Sequence, residues 1–163
     1  FGCLGVGVPY SIAASEVFKD REIICVTGDG SFGFNAMELD TAVRNNSKIC
    51  IIISNNAAWN IETHDQRINY GNRVYGTTLR HSNYAELARG LGAFGIRVEK
   101  PEKLANALKL ALENTPSVID VITSPLAISS DAKKGLGFVA NYQALDIWDD
   151  LEIEYRKKLK NDE

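Results

Sequence analysis

The sequence predicts an α/β fold, a doubly wound parallel sheet with helices on both of its faces. Two apolar runs rich in β-branched residues, 23–27 and 49–53, contain no alternating polar residues. Runs of this kind are typical of strands that are buried on both faces. Patterns typical of helices separate these runs from each other and from two weaker strand candidates, 95–98 and 118–123. Such alternation of helices and strands favours parallel pairing.

The helices follow in chain order. Pro9 opens the first one, since proline is accepted in a first helical turn. Asn35, with Glu38 three residues later, resembles a capping box at the start of the second helix, and Asn83 with Glu86 repeats the pattern. The predicted helices cover about residues 9–18, 35–43, 83–92 and 101–112.

Two stretches do not fit the alternation. Residues 56–82 are long and polar, and a loop of this length in a compact domain is usually functional or has local structure of its own. The end of the chain contains a glycine-rich joint and then a second apolar segment from about residue 143. We therefore predict a cofactor-binding α/β domain over residues 1–128 and a C-terminal tail or lid segment over residues 129–163.

Composition excludes several classes of function. The 163 residues are 45% hydrophobic and 24% charged, with a formal net charge of −3, which gives no attraction for nucleic acid or an anionic membrane. No apolar run approaches the roughly 20 residues that span a bilayer. The odd set of Cys3, Cys25 and Cys50 indicates neither a disulfide framework nor a zinc site, so we expect a reducing, cytoplasmic compartment. Because the chain opens in mid-pattern at Phe1, we expect a piece of a longer polypeptide.

The most informative stretch is Gly28-Asp29-Gly30-Ser31, which directly follows the first strand and precedes a helix. Glycines allow phosphate to approach the backbone, helix N-termini favour anions, and ligands of parallel sheets bind at the carboxyl ends of strands. The second strand ends in Asn55-Asn56. If the two strands are neighbours, a carboxylate and an amide oxygen meet at one edge, where Mg²⁺ can share its oxygen ligands with a diphosphate.

Residues 28–33 also satisfy the G-x-G-x-x-G pattern of dinucleotide-binding proteins. That pattern requires an acidic residue near the end of the second strand, where this chain has asparagines. Asp29 would also repel a pyrophosphate that no metal bridges. A plain tight turn without a ligand is the remaining alternative.

The two halves of this motif resemble the signature of thiamine-diphosphate enzymes, in which Gly-Asp-Gly precedes Asn-Asn by about two dozen residues; here 24 residues intervene. The resemblance implies the thiamine-diphosphate-binding fold and the cofactors thiamine diphosphate and Mg²⁺. It assigns the metal to Asp29, Asn56 and the backbone carbonyl of Ala58. Gly28, Gly30 and Ser31 are assigned to the diphosphate. Residues 5–9 and 34–42 resemble the acetolactate synthase and benzaldehyde lyase branch, and the tail is similar to that of 2-hydroxyacyl-CoA lyases.

The same resemblance implies roles for the residues that follow the asparagine pair. In the family this stretch passes under the thiazolium ring, so the cofactor-binding candidates are Trp59, Asn60 and Ile61, although a core role for Ile61 is open. Glu62 matches a catalytic glutamate, since a carboxyl near a buried ring can have a raised pKa and transfer protons, and a solvated loop carboxylate is the alternative. His64 is a second catalytic candidate, for proton transfer or substrate binding.

The resemblance implies an enzyme that acts on carbon–carbon bonds of 2-oxo or 2-hydroxy acids, as a carboligase, lyase or decarboxylase similar to acetolactate synthase. A 2-hydroxyacyl-CoA lyase or benzaldehyde lyase is the alternative, and a non-catalytic cofactor-binding or regulatory module is a third possibility. The implied partners are a small-molecule substrate (a 2-oxo acid, an aldehyde or an acyl-CoA) and a pyrimidine-binding domain of the same or a second subunit. A homo-oligomer, dimer or tetramer, is expected, with no nucleic acid and no membrane.

Overall fold

The computed structural model describes residues 2–128, 130, 150, 151, 153–155, 157 and 158. Its helices are α1 (Gly7–Val17), α2 (Asp29–Phe34), α3 (Glu38–Arg44), α4 (Asn60–Asn69), α5 (Tyr84–Gly90) and α6 (Leu104–Glu113), the last preceded by a 3-10 turn at Pro101–Lys103. Its strands are β1 (Ile23–Gly28), β2 (Ile49–Asn55), β3 (Phe94–Val98) and β4 (Ser117–Ile122). No helix among the described residues is both long enough and apolar enough to cross a bilayer.

The chain divides into two compact units. The first consists of Phe1–Ala58 and Leu79–Pro125, and contains the whole sheet. The second consists of Trp59–Thr78 and Leu126–Glu163, and contains α4. Residues 129 and 131–149 lie outside the described part of the chain, so the predicted domain boundary at residue 128 stays a prediction.

The sheet of the first unit has the strand order β1-β2-β4-β3, and every pair is parallel. The side chains of the interior strand β2 point alternately to the two faces of the sheet, and each face packs against a different set of helices. One core cluster joins Ile51 to Leu39 and Ala88, from α3 and α5. The other joins Cys50 to Ala107 of α6. Helices therefore cover both faces, which confirms the predicted doubly wound α/β fold.

The first strand differs from its prediction. β1 lies at the edge of the sheet and alternates between half-buried and exposed residues, with Ile24 46% and Val26 73% exposed. The expectation that both faces of this run are buried is wrong for the structure described. On the opposite face Cys25 packs toward α1, where a Cβ on Gly7 would lie only 2.9 Å from its sulfur.

The two predicted capping boxes have different outcomes. Asn83 caps α5, since its side-chain oxygen accepts a hydrogen bond from the N–H of Glu86 at 3.0 Å. Asn35 does not cap α3, because its Nδ2 instead donates to the carbonyl oxygen of Gly5 at 2.9 Å. A tertiary partner thus takes the side chain that the local pattern assigned to the helix. The long polar stretch 56–82 has local structure of its own, the helix α4.

Candidate functional site

The parallel pairing of β1 with β2 brings the two halves of the sequence motif to one edge of the sheet. Gly28 pairs with Ser54, so the chain leaves both strands at the same level. Asp29 follows the first strand directly, and Asn56 follows the second. The two strands are therefore neighbours, which is the condition on which the predicted site depends.

Asp29 is the first residue of α2 and is only 2% exposed. Its Oδ1 accepts a hydrogen bond from the N–H of Gly30 at 3.0 Å, whereas its Oδ2 is buried and has no hydrogen-bond partner among the described residues. Burial raises the pKa of this carboxyl, and the backbone N–H groups of Gly30, Ala57 and Ala58 partly counteract that rise. Backbone N–H groups thus lie near the carboxyl, but Oδ2 makes no hydrogen bond with the described residues and remains available to a cation.

The turn after β2 supplies the other predicted ligands. Ala57 adopts a left-handed conformation, with φ at 56°, and its carbonyl oxygen accepts from the N–H of Leu79 at 2.7 Å. The N–H of Ala58 donates to Oδ1 of Asn56 at 3.1 Å, which fixes the orientation of that amide. Because the Ala57 and Ala58 amides act on the Asp29 carboxyl, this turn lies beside Asp29.

The residues predicted to contact a diphosphate lie at the start of α2. Gly28 is exposed, and a Cβ placed there would meet nothing within 4 Å, so the backbone is open to an approaching group. Gly30 is buried. Ser31 accepts a hydrogen bond at Oγ from the N–H of Gly5 at 3.0 Å. Since a hydroxyl also has one proton to donate, Ser31 keeps a donor for a phosphate oxygen.

The residues predicted to line the cofactor's ring or to transfer protons lie in the second unit, at the start of α4. This group comprises Trp59, Asn60, Ile61, Glu62 and His64. Ile61 is 70% exposed, so it is not a core residue. Glu62 is also exposed, and its catalytic role stays a prediction.

One face of α4 carries polar atoms that are buried. Asn60 and His64 are four residues apart and share that face. Oδ1 of Asn60 and Nε2 of His64 are each buried without a hydrogen-bond partner in the described part of the chain. The neighbouring Thr63, 4% exposed, does have partners: its hydroxyl donates to the carbonyl oxygen of Trp59 at 3.0 Å and lies 2.8 Å from Oγ1 of Thr77.

Sequence reasoning missed a polar network behind the β2 turn. Asp120 of β4 and Asn55 of β2 are both fully buried, and Nδ2 of Asn55 donates to Oδ1 of Asp120 at 2.8 Å. The available signal was a carboxylate that interrupts the apolar run of residues 118–122. The pattern alone did not reveal which donors surround it.

The donor set fits a hard divalent cation. No cluster of three or more His, Cys, Asp or Glu side chains able to hold a metal occurs among residues 2–128 and the few described beyond them. The predicted ligands are instead the Asp29 carboxylate, the Asn56 amide oxygen and the Ala58 carbonyl. Magnesium commonly takes one or two carboxylates and completes its octahedron with phosphate oxygens and water, so this set fits Mg²⁺ shared with a diphosphate.

Comparison with known proteins agrees with the motif. Residues 1–121 match the family model of the thiamine pyrophosphate enzyme C-terminal TPP binding domain. The chain is 39% identical over 126 residues to a probable acetolactate synthase of Mycobacterium bovis, covering 77% of this chain and 23% of that protein. It is 37% identical over 119 residues to the acetolactate synthase of Bacillus subtilis, covering 72% and 21%. It is 33% identical over 141 residues to human 2-hydroxyacyl-CoA lyase 1, covering 78% and 24%.

The chain thus spans about a quarter of the length of the relatives it matches. The matched region contains all of β1, β2 and the turn after β2, so the family match and the site geometry concern the same residues. This chain belongs to the thiamine pyrophosphate enzyme family, and it contains the C-terminal TPP binding domain of that family.

Proposed function

We propose that this chain binds the diphosphate of thiamine diphosphate through a Mg²⁺ ion held by Asp29, Asn56 and the carbonyl oxygen of Ala58. The single observation that carries the proposal is the buried Oδ2 of Asp29, which has no hydrogen-bond partner among the described residues. A carboxylate repels a free diphosphate, but a bound divalent cation reverses that interaction. Gly28, Gly30 and Ser31 complete the diphosphate side of the site.

We propose an enzyme that makes or breaks carbon–carbon bonds of 2-oxo or 2-hydroxy acids, in the manner of an acetolactate synthase. Support comes from family membership and from the relatives named as acetolactate synthases. When bound, thiamine diphosphate supplies the reactive carbon. The chain's own contribution is to anchor the diphosphate, and so to fix where the reactive end of the cofactor lies.

Proton transfer is assigned to the start of α4. Glu62 is an exposed carboxylate in the first turn, able to exchange protons with water and with a bound substrate. His64 presents a buried Nε2 without a partner in the described residues, suited to hold a substrate oxygen. Trp59, Asn60 and Ile61 are proposed to line the space beneath the cofactor's ring.

A 2-hydroxyacyl-CoA lyase is the second candidate, with a benzaldehyde lyase-like enzyme close to it. Support comes from the match to human 2-hydroxyacyl-CoA lyase 1, which is 33% identical and covers 78% of this chain, much the same share as the 77% covered by the probable acetolactate synthase. Two enzyme assays distinguish the lyase from the synthase. Cleavage of a 2-hydroxyacyl-CoA supports the lyase, and carboligation of a 2-oxo acid supports the synthase.

A pyrimidine-binding domain, in the same or a second subunit, is the proposed partner, within a homodimer or homotetramer. A non-catalytic module is the alternative from another class, and it requires that this partner domain lack the glutamate that activates the cofactor. We also propose a cytoplasmic location, which is supported by three cysteines that are all free thiols.

The test replaces Asp29 by Asn in the protein assembled with its pyrimidine-binding domain. Calorimetric titration with thiamine diphosphate and Mg²⁺ is expected to show affinity lowered by roughly 100-fold or more, beyond the 10- to 100-fold typical of residues that only support a ligand. Asp40→Asn is the matched control, because it removes an equal charge from an exposed pair with Arg44. Unchanged affinity in Asp29→Asn would refute the proposed site.

A further inference from the structure

Asp120 is a fully buried carboxylate in the interior of the sheet. It belongs to β4, which lies between β2 and β3. A buried charge is costly unless donors surround it. Here Oδ1 accepts from Nδ2 of Asn55 at 2.8 Å, and Oδ2 accepts from a guanidinium nitrogen of Arg97 at 3.1 Å and from the N–H of Tyr84 at 3.2 Å. These donors from three different elements hold the carboxylate in one position.

Asn55 is the residue through which this carboxylate reaches the end of β2. Its Nδ2 donates also to the carbonyl oxygen of Ser82 at 3.0 Å, and its Oδ1 lies 3.3 Å from Nδ1 of His81. Its backbone carbonyl accepts from the N–H of Thr123 at 2.9 Å. Both the side chain and the backbone of Asn55 are therefore fixed immediately before the turn that begins at Asn56.

That turn needs external support. The left-handed conformation of Ala57 is unfavourable for a residue that carries a Cβ. Such backbone persists only where the surrounding structure imposes it. The hydrogen bond from Leu79 to the Ala57 carbonyl holds one side of the turn, and Asn55 holds its start.

We infer that Asp120 is a positioning residue for the metal site: by fixing the side chain of Asn55, it sets the direction in which Asn56 and the Ala58 carbonyl point. The inference rests on the proposed function, in which those two groups hold Mg²⁺. Arg97 and Tyr84 satisfy Oδ2 of the carboxylate and Asn55 satisfies Oδ1, so the bond to Asn55 both stabilises the buried carboxylate and holds the residue that precedes the turn. The bond to Asn55 is the connection that leads to the proposed ligands.

The test measures the dissociation constant of Mg²⁺ by calorimetry at saturating thiamine diphosphate, in the complete protein with its pyrimidine-binding domain. Asp120→Asn keeps the shape, but whichever way its amide turns, an NH₂ group faces a donor. We expect Mg²⁺ to bind about 10- to 100-fold more weakly, the usual effect of losing a group that orients a ligand. Arg97→Gln is the control, because it removes the guanidinium bonds to Asp120 and to the Ser82 carbonyl but leaves both acceptors of Asn55 Nδ2 in place. Its Mg²⁺ affinity is expected to stay within about twofold while its unfolding midpoint falls.

Asn55→Ala is the second variant, and it carries the test alone if Asp120→Asn does not fold. It should weaken Mg²⁺ binding to the same extent, and the double variant should show no further loss. Wild-type affinity in the folded Asp120→Asn or Asn55→Ala protein would overturn the inference, as would an equal loss in Arg97→Gln. Asp29→Asn, titrated in parallel, separates the two proposals: if it also binds Mg²⁺ normally, the proposed site itself is wrong.

Discussion

The backbone N–H of Gly5 donates a hydrogen bond to Oγ of Ser31 over 3.0 Å, although 26 positions separate the two residues. Asn35 closes the contact from the other side by donating to the Gly5 carbonyl oxygen. The segment before α1 therefore orients the hydroxyl proposed to face the diphosphate. The left-handed backbone of Gly5, with φ at 86°, explains why a glycine occupies this position.

Gly5→Ala is expected to lower the free energy of unfolding by about 2–5 kcal/mol. The added Cβ would take a left-handed conformation and would lie 2.7 Å from Cβ of Phe34. Gly2→Ala is the matched control, because Gly2 is also left-handed but a Cβ added there would meet nothing within 4 Å. Gly2→Ala should lower the free energy of unfolding only by the cost of the left-handed conformation, about 1–2 kcal/mol. Urea unfolding checks both, and equal losses would show that the contact with Phe34 contributes nothing.

Gly95→Ala should be among the most damaging substitutions in the sheet. A Cβ at Gly95 would lie 2.1 Å from the carbonyl oxygen of Ala85, so α5 would have to move away from β3. We expect a loss of about 3 kcal/mol or more in the free energy of unfolding. Gly90→Ala, at the open end of the same helix, should be neutral or stabilising by up to about 1 kcal/mol. Comparable stability of the two variants in denaturant titration would contradict the close packing of α5 on β3.

The buried carboxyl of Asp29 predicts opposite effects of pH on stability and on metal binding. Its pKa is raised above 3.8, mainly by burial, so the folded protein binds this proton more tightly than the unfolded chain does. Between the two pKa values the metal-free protein should therefore gain stability as pH falls, whereas Mg²⁺ affinity should fall because the ligand becomes protonated. In Asp29→Asn, the free energy of unfolding of the metal-free protein should lose this gain as pH falls. An unchanged profile in that variant would show that another group is responsible.

Glu62→Gln, in the assembled enzyme, should keep cofactor affinity and lower kcat by roughly 10²- to 10⁴-fold, the usual range for the loss of a general acid or base. Glutamine preserves the size and hydrogen bonding of the side chain but cannot exchange a proton near neutral pH. The exposed position of Glu62 makes a folding defect an inadequate explanation for such a loss. Steady-state kinetics over a range of pH is the measurement. A change in KM alone would indicate substrate binding, and wild-type kcat with an unaltered pH profile would leave Glu62 without a catalytic role.

Local patterns were sufficient where one residue's neighbours in sequence determine its structure. Asn83 caps α5 as its spacing with Glu86 predicts, because the cap bond joins residues three apart. The same spacing failed at Asn35, whose amide finds the Gly5 carbonyl instead. Similarly, the composition of residues 23–27 predicted a strand but not its position at the edge of the sheet, since strand order depends on pairing between distant segments.

The sequence by itself determined the α/β class, the two-part motif at Asp29 and Asn56, and through them the family to which the chain belongs, because periodicity and motif spacing are local properties of the chain. Tertiary structure alone decided that β1 and β2 are neighbours, that one oxygen of Asp29 is buried without a described partner, and that Asp120 meets Asn55. These features depend on contacts between residues that lie tens of positions apart. The physical reason is that burial removes water, so a buried polar atom needs a partner from a distant part of the chain, as Asp120 finds in Asn55, or from a ligand, as we propose for Oδ2 of Asp29.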